Sequence, residues 1–486
     1  MRMHACEWTD RPAGSVSMST GASAVHLLEL RGEDRVHDAP RQVPPGALRT
    51  PASVGAALRS PSVPSWRTAD GEPGAARLRF VDVLRNRTFF SLYVAETQST
   101  VGDQLARVAL SVLVYERTGS PATTAVAYAL SFLPAIAGGA LLSGLADRHS
   151  PRVVIVCCDL IRGCLIAAMA IPGMPIGGQL AALAAAVFLA PLFTSAEVSM
   201  IATALDADSY RVATGLRMIT GQIAQAAGFA VGGAVVALVH PRAALALDAA
   251  TFVASAVIVG VLVRPERSAL NPVRSRVRHG AHVSATVRTI RRDGRLQQLI
   301  ALCLLAGLFV VPEGLAVPYA KEIGGTTLGV GVLMAAIPFG SVVGAYAVLR
   351  LISPGRRGSV VGLMAVLTGL PLVVCSLHPP MVWSVVLWVL SGVFAAYQVD
   401  VLTSIVQRLP PERRASGVGL IGSGLLCAQG LGVTAFGVLA IRVTPGAAIG
   451  AAGALGSVLA LGPTIRLRSG AHSRLSAARD YAPTAE

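Results

Sequence analysis

Twelve apolar blocks fill most of this chain, at roughly 88–116, 122–146, 152–172, 177–202, 211–239, 243–263, 297–320, 326–350, 358–376, 382–406, 414–440 and 446–464. A helix needs about 20 such residues to cross ~30 Å of hydrocarbon. It also satisfies its own backbone polar groups, which lipid cannot do. Blocks of this length, joined by short connections, constrain the chain to a bundle of membrane-spanning helices. The composition agrees: 53% of residues are hydrophobic and only 14% charged, against about a quarter charged in a soluble domain. The expected fold class is all-α, a polytopic membrane protein with twelve transmembrane helices arranged as two six-helix repeats.

The formal net charge of +15 would suggest a nucleic-acid partner on a soluble domain. Here the arginines lie in alternate connections, so they report orientation and no nucleic acid is expected. Arg77, Arg79, Arg85 and Arg87 precede the first block, and Arg148 and Arg152 follow the second. Arg350, Arg356 and Arg357 follow the eighth, and Arg408, Arg413 and Arg414 lie between the tenth and the body of the eleventh. The alternate connections at Pro172-Gly173-Met174-Pro175 and His378-Pro379-Pro380 carry no arginine. Both termini are therefore expected in the cytoplasm of a plasma-membrane protein. The expected division is a disordered tail over 1–84, a six-helix bundle over 85–264, a basic cytoplasmic linker over 265–296, a second bundle over 297–465 and a tail over 466–486. The tail has the polar, Pro/Gly/Ser-rich composition of an unstructured segment and no signal-peptide core. Six of the seven cysteines fall inside apolar blocks without metal spacing, which makes them inert packing residues. No phosphate loop, zinc pattern or nucleophile triad is present, so no cofactor, metal or enzymatic activity is expected.

The two halves repeat one another. Pro134 and Pro338 occupy the second block of each half, 204 residues apart, and Tyr115 and Tyr319 end the first blocks at the same offset. Arg152 and Arg356 share that offset as well, while Gly228 and Gly430 are 202 apart. Arg211-Val212-Ala213-Thr214-Gly215 likewise matches Arg413-Arg414-Ala415-Ser416-Gly417.

Between the second and third blocks lies Leu145-Ala146-Asp147-Arg148-His149-Ser150-Pro151-Arg152. It resembles the loop between helices 2 and 3 of the major facilitator superfamily, whose pattern is Gly-x-Leu-Ala-Asp-Arg-x-Gly-Arg-Arg. Ser143 and Ser150 stand at the glycine positions and Pro151 at the first of the paired arginines. Ser111-Val112-Leu113-Val114-Tyr115-Glu116-Arg117-Thr118-Gly119-Ser120 and Leu245-Ala246-Leu247-Asp248-Ala249-Ala250-Thr251-Phe252 look like the branch of macrolide-efflux and enterobactin-exporter proteins. The resemblance covers about 85–465. It implies parallel repeats flanking a midplane site and export of a small amphipathic molecule, driven by a buried carboxyl that takes a proton on one side and releases it on the other. It also implies a cytoplasmic gate in which Asp147 caps the eleventh helix near Ala415 and Ser416, and Arg148 or Arg152 reaches Asp206 when that side is closed.

Glu96, Asp103 and Arg107 are spaced i, i+7 and i+11 in the first block, which puts them on one helical stripe. Ionisable groups within spans face the bundle interior or a cavity. In the superfamily, spans one, four, seven and ten line the central cavity; Glu197, Glu313 and Asp400 fall in the fourth, seventh and tenth. Asp103, near the middle of its span, is the first candidate for the coupling proton and Glu313 the second. Glu96, Arg107, Glu197, Gln225, Gln398 and Asp400 are the candidate cavity lining. An Asp103–Arg107 salt bridge within the helix is the competing reading of that pair. Gly228-Phe229-Ala230-Val231-Gly232-Gly233 of the fifth block resembles the Gly-Pro-x-x-Gly-Gly motif of proton-coupled exporters, but the helical spacing of Gly221, Gly228 and Gly232 suits close helix packing first. Asp159 and Arg162, an i, i+3 pair, and Asp248 are expected to be structural. The expected partners are a small-molecule substrate, protons and the lipid bilayer, with the chain a monomer. An importer, a uniporter or a non-transporting sensor on the same scaffold remain open alternatives.

Overall fold

The structure, a computed structural model, describes residues 80–146, 148–263 and 279–480. Among these residues all regular structure is helical. Spans 1 to 6 are Arg87–Thr118, Pro121–Ala129 continued by Leu133–Ala146, Pro151–Met169, Ile176–Ala204, Ala207–Leu238 and Pro241–Leu262. Span 7 runs in four pieces, Gly294–Leu304, Ala306–Phe309, Val311–Gly314 and Ala316–Glu322. Spans 8 to 12 are Thr327–Leu351, Pro354–Val374, Met381–Ala395 with Tyr397–Arg408, Arg414–Leu439 and Pro445–Asp480. Ten of these twelve are apolar and long enough to cross a bilayer by hydropathy alone. The two that fall outside that criterion are span 1, with Glu96, Asp103 and Arg107, and span 3, with Arg152, Asp159 and Arg162. Many of the exposed side chains are apolar, as in Leu141 at 74% and Val261 at 74% exposure, which suits a lipid-facing surface.

Local chemistry sets the helix ends. Asn86 accepts from the Phe89 N–H at 3.0 Å and donates to the Ala204 carbonyl at 2.9 Å, so one side chain starts span 1 and ties it to the end of span 4. Span 1 stops at Gly119, whose φ of 61° places it in the left-handed region that closes a helix. Ser120 caps span 2, and Pro121 occupies its first turn, where a missing N–H costs nothing. Span 7 is broken because Pro312 and Pro318 each remove a helical donor. Nearby turns tighten to i→i−3 bonds, from Leu308 N–H to Leu305 and from Glu313 N–H to Val310. Beyond 264–278, which lie outside the described residues, the expected linker contains a helix, His279–Arg292. It is fastened to the second half: Asp293 caps span 7 and pairs with Arg408 at 3.1 Å, and Arg413 donates to Thr289.

The repeat read from sequence is present in the packing. Span 1 packs on span 5 as span 7 packs on span 11, span 2 on 4 as 8 on 10, and span 3 on 6 as 9 on 12. Gly228 and Gly232 lie against Val101, Gln104 and Leu105 of span 1, so these two glycines serve close packing, whereas Gly221 faces open space. The two proline positions differ locally. Span 8 carries Pro338 inside a continuous helix, whereas span 2 is interrupted at 130–132, just before Pro134.

The halves meet through the symmetric pairs 5–8 and 2–11. At the first, a Cβ on Gly233 would fall 2.5 Å from the Gly331 Cα, so only glycine allows this approach. At the second, Gly437 sits on Ala125. These crossings, and those of Tyr128 and Val433 on Gly314, lie toward the side whose connections carry few arginines, here the bare side. Spans 4 and 10 make no extended packing with one another. Among the described residues the cleft between the halves is therefore closed on the bare side and opens toward the arginine-rich side.

Candidate functional site

Three polar layers are stacked between the open and the closed ends of the bundle. The layer nearest the arginine-rich side is built around Arg217 of span 5. Its guanidinium meets Glu96 of span 1 through Nε–Oε2 at 2.5 Å and Nη2–Oε1 at 2.6 Å, and Glu197 of span 4 through Nη2–Oε2 at 2.7 Å. Glu197 is 2% exposed and its Oε1 has no partner. Tyr93 and Thr220 join hydroxyls beside this triad at 2.7 Å. Two carboxyls share one cation, so Glu96 and Glu197 are engaged in the fold before any substrate arrives. Arg217 is not among the candidate residues read from the sequence. Its signal was available, since an arginine inside an apolar block requires an acidic partner.

The middle layer departs from the competing reading of span 1, a salt bridge within the helix. Asp103 does not pair with Arg107. It meets Arg162 of span 3, Nη2 to Oδ1, at 3.2 Å. Asp159 is not the partner of Arg162 either; it accepts from the Ser255 hydroxyl of span 6 at 2.6 Å. Arg107 instead lies over the rings of Phe132 and Tyr128 of span 2, 5.5 and 6.0 Å from their centroids. The physical reason is rotational. Asp103 and Arg107 share a helical stripe, but their side chains diverge toward different neighbours, span 3 and span 2. A cavity of about 220 Å³ opens here, lined by Asp103, Arg107, Tyr128, Arg162, Asp248 and Phe252 among others. Its walls come from spans 1, 2, 3, 4 and 6, with only Leu426 from the second half. This cavity lies within the first bundle, off the cleft between the halves.

The third layer joins the halves on the bare side. The Tyr128 hydroxyl of span 2 donates to Glu313 Oε2 of span 7. Both side chains are buried, at 2% and 6% exposure. Removing the hydroxyl in Tyr128→Phe leaves a buried acid short of its donor, which costs about 1–3 kcal/mol. The expected result is a population shift toward separation of spans 2 and 7. Distance measurements between spin labels on the bare-side turns at 119 and 325 would read it, and an unchanged distance distribution would refute the latch.

The remaining candidates are placed as follows. Gln225, Gln398 and Asp400 are half-buried on spans 5 and 10. Asp147 lies outside the described residues. Arg148 is exposed in the turn after span 2. Arg152 does not reach Asp206 in this open state. It donates to the Gly260 carbonyl near the end of span 6, where helix carbonyls lack intrahelical partners. Asp206 accepts from the N–H groups of Asp208 and Ser209 at 3.2 Å each, capping span 5. The Ser209 side chain, followed by its N–H, holds the Asp206 carboxyl below the usual carboxylate range. No group of three His, Cys, Asp or Glu side chains is placed to hold a metal among the described residues.

The sequence profile of the Major Facilitator Superfamily matches residues 92–424. The chain belongs to the Major Facilitator Superfamily. This is a family of transporters rather than enzymes. An uncharacterised MFS-type transporter, YkuC of Bacillus subtilis (strain 168), is 25% identical over 184 residues, 37% of this chain and 42% of that protein. The match thus spans less than half the length of that relative. Among solved structures, the bacterial homologue of the human lysosomal transporter Spinster, inward-facing and occupied, superposes with a TM-score of 0.57 at 15% identity, covering 81% of this chain and 97% of that one. The nucleoside transporter NupG gives a TM-score of 0.57 at 13% identity, covering 79% of this chain and 98% of that one. At such identities the likeness is one of fold.

Proposed function

We propose that this superfamily member is a proton-coupled exporter of small amphipathic molecules, working as a monomer in the plasma membrane by alternating access. The observation that carries this reading is the pair of acids in the middle and bare-side layers. Asp103 faces a cavity from an ion pair, and Glu313 holds the two halves together through a hydroxyl. A proton that alters either contact alters the closure of one side, which is what coupling requires. The resemblance of 111–120 and 245–252 to macrolide-efflux and enterobactin-exporter proteins favours an amphipathic substrate and outward direction.

In this reading Asp103 is the first coupling carboxyl and Glu313 the second. Arg107, Gln225, Gln398 and Asp400 meet the substrate, together with the Glu96–Arg217–Glu197 triad when substrate displaces one of its arms. Asp147, Arg148, Arg152 and Asp206 form the gate that closes the arginine-rich side, and Arg152 leaves the Gly260 carbonyl for Asp206 as it does so. Asp147→Asn is expected to slow turnover while leaving substrate binding intact. The division at 85–264 and 297–465, with a basic cytoplasmic connection and cytoplasmic tails, follows from the arginine asymmetry.

Orientation is tested by labelling. In a background freed of native cysteines, Gly173→Cys in the bare-side turn and Arg288→Cys on the helix His279–Arg292 are both exposed positions. They are expected to react with an impermeant maleimide from opposite faces of intact cells, Gly173→Cys from outside. Reaction of both from one face would contradict the topology. Function is tested in inverted membrane vesicles energised by respiration. A transported amphipath is expected to dissipate the proton gradient, read by a pH-sensitive dye, only when the chain is present.

A further inference from the structure

We propose that Asp248 is a second proton-binding carboxyl of the transport cycle, exchanging its proton with Asp103 as Arg162 passes between them. This deepens the proton-coupled reading and rests on it.

Asp248 sits on span 6, fully buried, and lines the cavity shared with Asp103, Arg107 and Arg162. Its Oδ2 has no hydrogen-bond partner. Its Oδ1 lies 3.3 Å from the Thr251 hydroxyl, but that hydroxyl is 2.7 Å from the Asp248 carbonyl. A threonine hydroxyl has one hydrogen to give and two lone pairs to offer. With the hydrogen directed to the shorter contact, the Oδ1 contact is attractive when the proton is on the aspartate. Among the described residues no arginine forms an ion pair with Asp248. A buried carboxylate with no cation, and with only a long contact to a hydroxyl shared with a carbonyl, is far more costly than the neutral acid, so the geometry calls for protonated Asp248 in this state.

The placement is built rather than incidental. Span 6 reaches the backbone of span 1 at Gly102, where a Cβ would lie 2.4 Å from Asp248 Oδ1 and 2.3 Å from Thr251 Oγ1. Any side chain at 102 would hold the acid away from its neighbour in sequence, Asp103. Gln98 fixes the same crossing by donating to the Thr251 carbonyl at 2.9 Å.

The groups that share this cavity with Asp248 are Asp103 and Arg107 from span 1, Arg162 from span 3 and Tyr128 from span 2, while Asp159 of span 3 is bound to Ser255. The stretch of span 5 from 218 to 238 carries no titratable side chain. Arg162 is the mobile member. It holds Asp103 through Nη2 while its Nε is unpartnered, and its guanidinium lies 4.3 Å from the ring centre of Phe252, one turn beyond Asp248 on the same helix. When Arg162 leaves Asp103, the Asp248 O–H bond breaks, the Asp103 carboxylate takes the proton, and Arg162 pairs with the new Asp248 carboxylate. The charge of the trio is unchanged by this exchange. Asp103, whose side chain is 33% exposed, then passes the proton to water in a cavity large enough for several molecules. Asp159, whose Oδ1 is also unpartnered, remains tied to Ser255 and takes no part in the exchange.

The test is infrared difference spectroscopy of the full chain in lipid, with the proton itself as probe. Wild type at neutral pH is expected to show the carbonyl stretch of a protonated acid in an apolar setting, shifted by isotope labelling of aspartate carboxyls. Asp248→Asn is expected to remove that band, and Asp103→Asn and Asp159→Asn to retain it. Arg162→Gln is expected to add a second band, because Asp103 then has no cation and protonates. A band that survives Asp248→Asn, or that is lost in Asp159→Asn, overturns the proposal. If Asp248→Asn does not fold, aspartate labelling of wild type decides, since a band that does not shift assigns the proton to a glutamate. These readouts need neither substrate nor gradient. Vesicle transport indifferent to the proton gradient would overturn the coupling reading with the band still present, and absence of the band with coupling intact would overturn the Asp248 assignment alone.

Discussion

Arg217→Ala is expected to lower the thermal stability of the detergent-purified chain sharply. The guanidinium is the shared partner of Glu96 and Glu197, and Glu197 has almost no access to water. Breaking a buried pair by removing one member leaves an uncompensated charge, at a cost of about 3–5 kcal/mol. The double variant Arg217→Ala with Glu197→Gln is expected to recover most of the loss, because a buried amide needs no counter-charge. Thermal melts of the single and double variants read both effects. Equal melting temperatures for wild type and Arg217→Ala would mean that the triad does not hold spans 1, 4 and 5 together.

Asp103→Asn carries the second large effect. An asparagine keeps the shape of the side chain and a hydrogen-bonding contact for Arg162, but it cannot gain or lose a proton. Uphill transport driven by a proton gradient is expected to fall to the passive level, while downhill exchange of substrate across a vesicle membrane continues. The same variant leaves Arg162 without its carboxylate partner, so a modest loss of stability accompanies it. Loss of downhill exchange together with uphill transport would show that Asp103 is needed for the conformational change itself, not for coupling.

The architecture was readable from the chain because its causes are local or periodic. Apolar blocks of membrane length, a register that brings Pro134 onto Pro338, and arginines in alternate connections each leave a trace in the sequence. The ionisable residues on spans 1, 4 and 7 were readable as buried, partnered groups for a related reason, that charges in apolar blocks are costly enough to stand out. Their partners were not. Glu96 and Arg217 are 121 residues apart, Asp103 and Arg162 are 59 apart, and Tyr128 and Glu313 are 185 apart. Which acid meets which base depends on how each helix is rotated about its axis and how far it slides past its neighbour. Those quantities are set by close crossings such as Gly102 on Asp248 and Gly233 on Gly331. Reading Asp103 with Arg107, or Asp159 with Arg162, followed the nearest neighbour along one helix. Long side chains on one stripe can instead reach separate neighbouring helices, and in this bundle they do. The break in span 2 falls at 130–132, and Pro134 lies in the first turn of the second piece, Leu133–Ala146.

The most direct test of proton-coupled export is substrate-induced proton flux in proteoliposomes holding wild type, Asp103→Asn or Glu313→Gln, with amphipathic compounds identified from accumulation in a deletion strain. Proton movement opposite to substrate in wild type, absent in Asp103→Asn, is the expected result. Normal flux in Asp103→Asn with loss in Glu313→Gln would transfer the coupling role to Glu313. Substrate movement in wild type that is indifferent to the proton gradient would contradict the account and leave a uniporter in its place.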